Sequence, residues 1–144
     1  MESKYIKVVM FDLDGTIVDT EKYYRLNWQK AFAHFGYKIS EEQGLNLRSL
    51  GHPYVEEYLT SFFGKDIPID EIKKYARNLV DEKVKEHGLE LKKGVINCLT
   101  FLKKKNVKLV IVTATAVERT KKYISDANIK DFFDDIISAK NEGR

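Results

Sequence analysis

Two aspartates, Asp12 and Asp14, stand two residues apart in the run FDLDGT, directly after the apolar stretch Tyr5–Phe11 (YIKVVMF) and directly before Gly15. A short apolar run rich in β-branched residues reads as a buried parallel strand. In open parallel sheets, ligands bind outside the carboxyl ends of the strands. Both carboxylates can therefore face one pocket. Like charges held close together are unfavourable unless a proton or a cation is shared. A hard divalent cation such as Mg²⁺ resolves that conflict, because it prefers carboxylate oxygens and keeps positions open for water and phosphate. A carboxylate at such a place can also attack phosphorus and form an aspartyl-phosphate.

A second apolar run, Val107–Val112 (VKLVIV), ends in Thr113 and Ala114. A hydroxyl with free backbone N–H groups at the start of a helix makes a phosphate cradle. Thr115 and Glu118 have the spacing of a capping box for that helix, whose inner face reads Val117, Thr120, Ile124 and Ala127. A third, weaker strand is expected at Asp135–Ser138.

The elements between these strands are helical. Tyr24, Trp28, Ala31, Phe32 and Phe35 recur at helical spacing, with Gly36 able to end the helix. Ser40 and Gln43 form a capping box for the next helix. Pro53 suits a first helical turn, with His52 before it as a cap. Ile72, Ala76, Leu79, Val80 and Val84 stripe a long helix that closes near Gly88, and Val95, Cys98, Leu99 and Leu102 stripe another. A crossover between parallel strands needs one helix, and a helix-only block of about 70 residues is far more than that. Residues 20–91 therefore read as an inserted all-helical domain, and residues 1–19 with 92–144 as an α/β parallel-sheet core.

The bulk numbers narrow the class. The chain has 144 residues, with 43% hydrophobic and 33% charged, a globular composition. Lysine plus arginine is 25 against 22 acidic residues, and a net charge of +3 argues for neither nucleic acid nor membrane as a partner. A single cysteine, Cys98, rules out an internal disulfide and suits a reducing compartment. No apolar run reaches the roughly 18 to 20 residues of a membrane helix, and lysines interrupt the N-terminal apolar stretch where a signal peptide would need its core. A cytoplasmic location is expected. His34, His52 and His87 lack metal-ligand spacing and read as structural, Cys98 reads as core, and Lys103–Lys105 as a solvated helix end. Asp19 reads as a helix cap or hinge.

FDLDGTIVDT, Phe11–Thr20, resembles the first motif of the haloacid-dehalogenase superfamily, and VTATA, Val112–Ala116, resembles the second. The helical insertion after the first motif is similar to the cap of the β-phosphoglucomutase and phosphoglycolate-phosphatase branch. The resemblance spans Lys4 to the C-terminus. It implies a Rossmann-like core with a helical cap and a Mg²⁺-dependent phosphatase acting on a small phosphorylated metabolite. It further implies Asp12 as nucleophile, Asp14 as general acid and base, and Mg²⁺ on the Asp12 carboxylate and the Asp14 carbonyl. Thr113 and Ala114 would hold the phosphoryl group. Arg48, in LRSLG, reads either as a cap contact to a substrate phosphate or as a plain surface arginine. A sugar phosphomutase of the same branch is the alternative within the enzyme class. A dehalogenase is disfavoured, since that branch lacks the second aspartate.

Family members carry a third motif, a lysine usually followed by proline, and a fourth, an acidic pair. Here the tail reads AKNEGR; Lys140 comes too early and no proline follows. The chain thus reads as an N-terminal portion with an incomplete core, for which negligible turnover and weak Mg²⁺ binding are expected. A catalytically inactive remnant is the third reading. An unpaired outer edge on the first strand would favour self-association.

Overall fold

The computed structural model describes residues 6–48, 50–51 and 53–139. The chain runs β1 (Val8–Phe11), α1 (Glu21–His34), α2 (Glu41–Asn46), α3 (Tyr54–Phe63), α4 (Ile69–His87), α5 (Val95–Lys104), β2 (Lys108–Thr113), α6 (Val117–Asp126) and β3 (Asp135–Ser138), with a 3-10 turn at Lys130–Phe132. It falls into two compact units. One holds the described residues up to Thr20 and from Leu89 onward; the other is Glu21–Gly88. The expected crossing points at 19/20 and 91/92 differ from this at both ends: Thr20 belongs to the sheet unit, and so do Leu89 and Leu91, which pack on its core, where Val18 bridges to Leu91.

In the first unit the strands form one parallel sheet in the order β1-β2-β3. Phe11 stands opposite Ile111, and Thr113 opposite Ser138. Side chains alternate across a strand, so each row has one face. Val9, Phe11, Leu109, Ile111 and Ile136 point into a core closed by Leu99 of α5 and by Tyr123 and Ile124 of α6. Both helices cover the same face, as right-handed crossovers between successive parallel strands require. The opposite face keeps Val8 at 45%, Met10 at 69%, Val112 at 38% and Ile137 at 45% exposure. The expectation of a buried strand therefore fails for β1, whose Val8 and Met10 are exposed on the face away from α5 and α6. β1 is also shorter than the apolar run, beginning at Val8.

Cys98, expected in the core, is exposed. In α5 the residues facing the sheet are Val95, Leu99 and Leu102, and only Leu99 is fully buried. One helical step places Cys98 on the flank of that stripe. Lys103–Lys105 are exposed at the helix end, and Lys103 Nζ donates to the Phe132 carbonyl at 3.3 Å.

The helical unit has its own core. α1 buries Tyr23, Asn27, Ala31 and Phe32; α4 buries Ile72, Ala76, Val80 and Val84. Phe32, fully buried, lies 5.9 Å from the Phe63 ring. Gly36, at φ 84, ends α1 with the Tyr37 N–H donating to the Phe32 carbonyl; the left-handed region is open to glycine without the Cβ penalty. The capping box forms as expected: Gln43 N–H donates to Ser40 Oγ at 3.1 Å and Ser40 N–H to Gln43 Oε1 at 2.8 Å. Pro53 precedes α3 directly, while His52, its expected cap, lies outside the described residues. His34 stacks on Tyr75 with ring centroids 4.1 Å apart. His87 is exposed at the end of α4, 3.5 Å from Glu86.

Candidate active site

Because the three strands are parallel, Phe11, Thr113 and Ser138 end at the same side of the sheet. The chain after β1 folds there into a tight turn. The N–H groups of Thr16, Ile17 and Val18 all donate to the Leu13 carbonyl, and the Gly15 N–H donates to the Val18 carbonyl at 2.8 Å. Leu13, Ile17 and Val18 are fully buried and anchor the turn in the core. Gly15 adopts φ 78, where any Cβ costs about 1–2 kcal/mol. Polar Asp12, Asp14 and Thr16 are left on the outward side. The apolar members of LDGTIV thus hold the turn, and the polar ones are presented by it.

The two aspartates have different surroundings. Asp12 is exposed, and its Oδ1 accepts the Leu13 N–H at 2.8 Å. Asp14 is half-buried, and each of its oxygens takes a hydroxyl. Thr20 Oγ1 donates to Oδ1 at 2.6 Å, and Thr115 Oγ1 donates to Oδ2 at 2.7 Å. Thr20 itself is fully buried. Asp19, expected as a cap or hinge, lies 3.8 Å from Lys92 Nζ, and its N–H donates to the Glu90 carbonyl.

Thr113 is 5% exposed. Its Oγ1 accepts the Thr115 N–H at 3.0 Å. The Thr113 hydroxyl proton has no acceptor among the described residues, so it is available to an incoming oxyanion. Ala114 beside it is exposed and carries only a methyl side chain. Ser138 Oγ donates to the Thr115 carbonyl at 2.6 Å, which ties the end of β3 into the same group. The expected capping box of Thr115 and Glu118 does not form: α6 starts at Val117, which puts Ala116 rather than Thr115 at the cap position, with no side-chain hydrogen bond.

Arg48 belongs to the helical unit, where its guanidinium pairs with Glu21 and its Nε donates to the Leu45 carbonyl at 3.4 Å. Lys140 lies outside the described residues.

The donors at the end of β1 suit a hard cation in part. The Asp12 carboxylate is exposed, and the turn closes without using the Asp14 carbonyl. Oxygen ligands of this kind fit Mg²⁺, which fills its remaining positions with water and phosphate oxygens. Among the described residues no group of three or more His, Cys, Asp or Glu side chains converges on one point.

Three residues here escaped sequence reasoning. Ser138 ends the run DIIS as Thr113 ends VKLVIV, so the same signal points to it; Thr20 follows only Ile17, Val18 and Asp19, and Thr115 reads by its spacing as a helix cap.

The haloacid dehalogenase-like hydrolase family matches residues 9–144, nearly the whole chain. The chain belongs to that family. The probable pseudouridine-5'-phosphatase of Saccharomyces cerevisiae is 25% identical over 130 residues, covering 90% of this chain and 53% of that protein. The phosphorylated carbohydrates phosphatase of Thermotoga maritima is 26% identical over 131 residues, covering 90% of this chain and 59% of that protein. The chain thus spans little more than half the length of these relatives. The crystal structure of β-phosphoglucomutase from Clostridium difficile superposes with a TM-score of 0.72 at 22% identity, over 96% of this chain and 64% of that one. At that identity the likeness shows a shared fold. No described helix is long and apolar enough to cross a membrane.

Proposed function

We propose that this chain carries the nucleophile and the acid–base group of a Mg²⁺-dependent phosphatase acting on a small phosphorylated metabolite. The observation that carries the reading is the contrast between the two aspartates: Asp12 exposed at the end of β1, Asp14 held by two hydroxyls. An Asp12 oxygen attacks phosphorus, and the bond from phosphorus to the substrate oxygen breaks. Asp14 gives its proton to that departing oxygen. Water then attacks the aspartyl-phosphate, Asp14 takes a proton from it, and inorganic phosphate leaves. Thr113, through its hydroxyl, and the Ala114 N–H hold the phosphoryl oxygens. Mg²⁺, on the Asp12 carboxylate and the Asp14 carbonyl, would supply positive charge against the phosphoryl oxygens.

The helical unit Glu21–Gly88 serves as the cap in this reading. Arg48 is its candidate for a substrate phosphate, for which it would exchange the Glu21 carboxylate. A mutase would use the same aspartates with a second hydroxyl as acceptor; the phosphatase names of the relatives at 25% and 26% identity favour water. The single cysteine suits the cytoplasm.

The test is hydrolysis of p-nitrophenyl phosphate by the chain extended to the length of those relatives. Asp12→Asn should abolish turnover and leave the circular dichroism spectrum unchanged. Wild-type rates in that variant would remove Asp12 from the role.

A further inference from the structure

Thr115 stands where a helix cap is expected and does something else. Its spacing to Glu118 suits a capping box, yet α6 starts at Val117 without any side-chain cap. The Thr115 hydroxyl instead crosses to a residue 101 positions earlier and donates to Asp14 Oδ2 at 2.7 Å. Thr115 is itself fixed on two further sides. Its N–H donates to Thr113 Oγ1 at 3.0 Å, and its carbonyl accepts the hydroxyl of Ser138, a residue 4% exposed, at 2.6 Å. One residue thus joins the ends of all three strands.

We infer that Thr115 is a positioning residue for Asp14, setting the direction of the carboxyl group that moves protons. The inference rests on the phosphoryl-transfer reading above. With Thr20 on Oδ1 and Thr115 on Oδ2, neither oxygen is free to rotate without breaking a bond. The chemistry of the partner matters as much as its place. A backbone N–H or a lysine can only donate, and so would favour the ionised carboxylate alone. A hydroxyl both donates and accepts. Thr115 can donate to the carboxylate and, by turning its O–H, accept from the carboxylic acid. The contact therefore survives both proton states that an acid–base group passes through. Thr115 exchanges no proton itself.

The test is nuclear magnetic resonance on the 144-residue chain. Three-bond couplings from Asp14 Cγ to its own backbone N and C′ report the χ1 rotamer. The wild-type chain should show one rotamer, Thr115→Val an average over rotamers, and Thr115→Ser the wild-type couplings again. The backbone amide spectrum checks that the fold is kept, and Thr115→Ala gives the same readout if valine disturbs the β2–α6 turn. Wild-type couplings in folded Thr115→Val or Thr115→Ala would overturn the inference, as would failure of serine to restore them. In the extended chain, Thr115→Val should lower kcat by about ten- to a hundredfold with KM little changed, since orientation rather than binding is lost. An equal loss in KM alone would also overturn it. If the phosphoryl-transfer reading is what fails, Asp12→Asn keeps turnover while the rotamer result stands, so the two failures are separable.

Discussion

The proposed division of labour between Asp12 and Asp14 rests on what surrounds each carboxylate. Asp14 has a hydroxyl on both oxygens, and Asp12 has one backbone N–H and solvent. Proton transfer by a positioned side chain contributes on the order of 10²- to 10⁴-fold, most where the leaving group is a poor one. Asp14→Asn should therefore slow alkyl phosphates far more than p-nitrophenyl phosphate in the extended chain. Equal slowing of both would mean Asp14 is no general acid. A second residue-scale prediction concerns stability. Asn27 on α1 is 2% exposed, and its amide nitrogen finds no partner among the described residues. A buried unpaired donor costs about 1–3 kcal/mol. Asn27→Leu should raise the unfolding free energy of the chain by about 1 kcal/mol, read from the urea midpoint. A lower midpoint would show that the amide is satisfied in solution.

At the scale of elements, local signals behaved in two ways. Where a signal had no competitor it produced its element. Ser40 and Gln43 close a reciprocal cap on α2, Gly36 ends α1 and Gly88 ends α4. Ser40→Ala should cost about 1 kcal/mol in urea unfolding, the usual worth of such a cap. An unchanged midpoint would mean that α2 is held by packing alone, through Leu47 and Gly44. Where the helix start shifted by one residue, the signal produced no cap. α6 begins at Val117, so Thr115 falls before the cap position, and its hydroxyl donates to Asp14. No local window contains Asp14 and Thr115 together, so that outcome was invisible to periodicity and spacing. Cys98 shows a milder version of the same limit. Spacing puts it within the apolar stripe of α5, but it is exposed, since whether a position on a helix is covered depends on its neighbours.

For the whole molecule, the consequential feature is the sheet. Among the described residues β1 pairs only with β2, and the face opposite α5 and α6 exposes Val8, Met10, Val112 and Ile137. An unpaired edge beside apolar side chains is a template for another chain, and contiguous apolar patches of this kind are rare on monomers. The 144-residue chain should self-associate through the β1 edge, and Met10→Lys should weaken that association by placing a charge against the contact. Size-exclusion chromatography with light scattering across about a hundredfold range of concentration reads this directly. A stable monomer throughout would show that the edge is covered by some segment of the chain itself.

The sequence alone determined which residues are candidates for chemistry and the order of elements. Asp12 and Asp14 after an apolar run, Thr113 after another, and a helical block between them are local patterns. They follow from side-chain type and from the periods of helix and strand, and they sufficed for the α/β class, three strands and the candidate nucleophile. Tertiary structure decided which groups serve those residues. Thr115 and Ser138 became partners of the site only when parallel pairing brought three strand ends together, whereas Thr20 reaches Asp14 within the loop after β1, six residues away. β1 was left half-exposed only because both crossover helices chose one face. Hydrogen-bond partners and buried faces depend on distances between segments far apart in the chain, and sequence spacing carries no such distance until the sheet has formed.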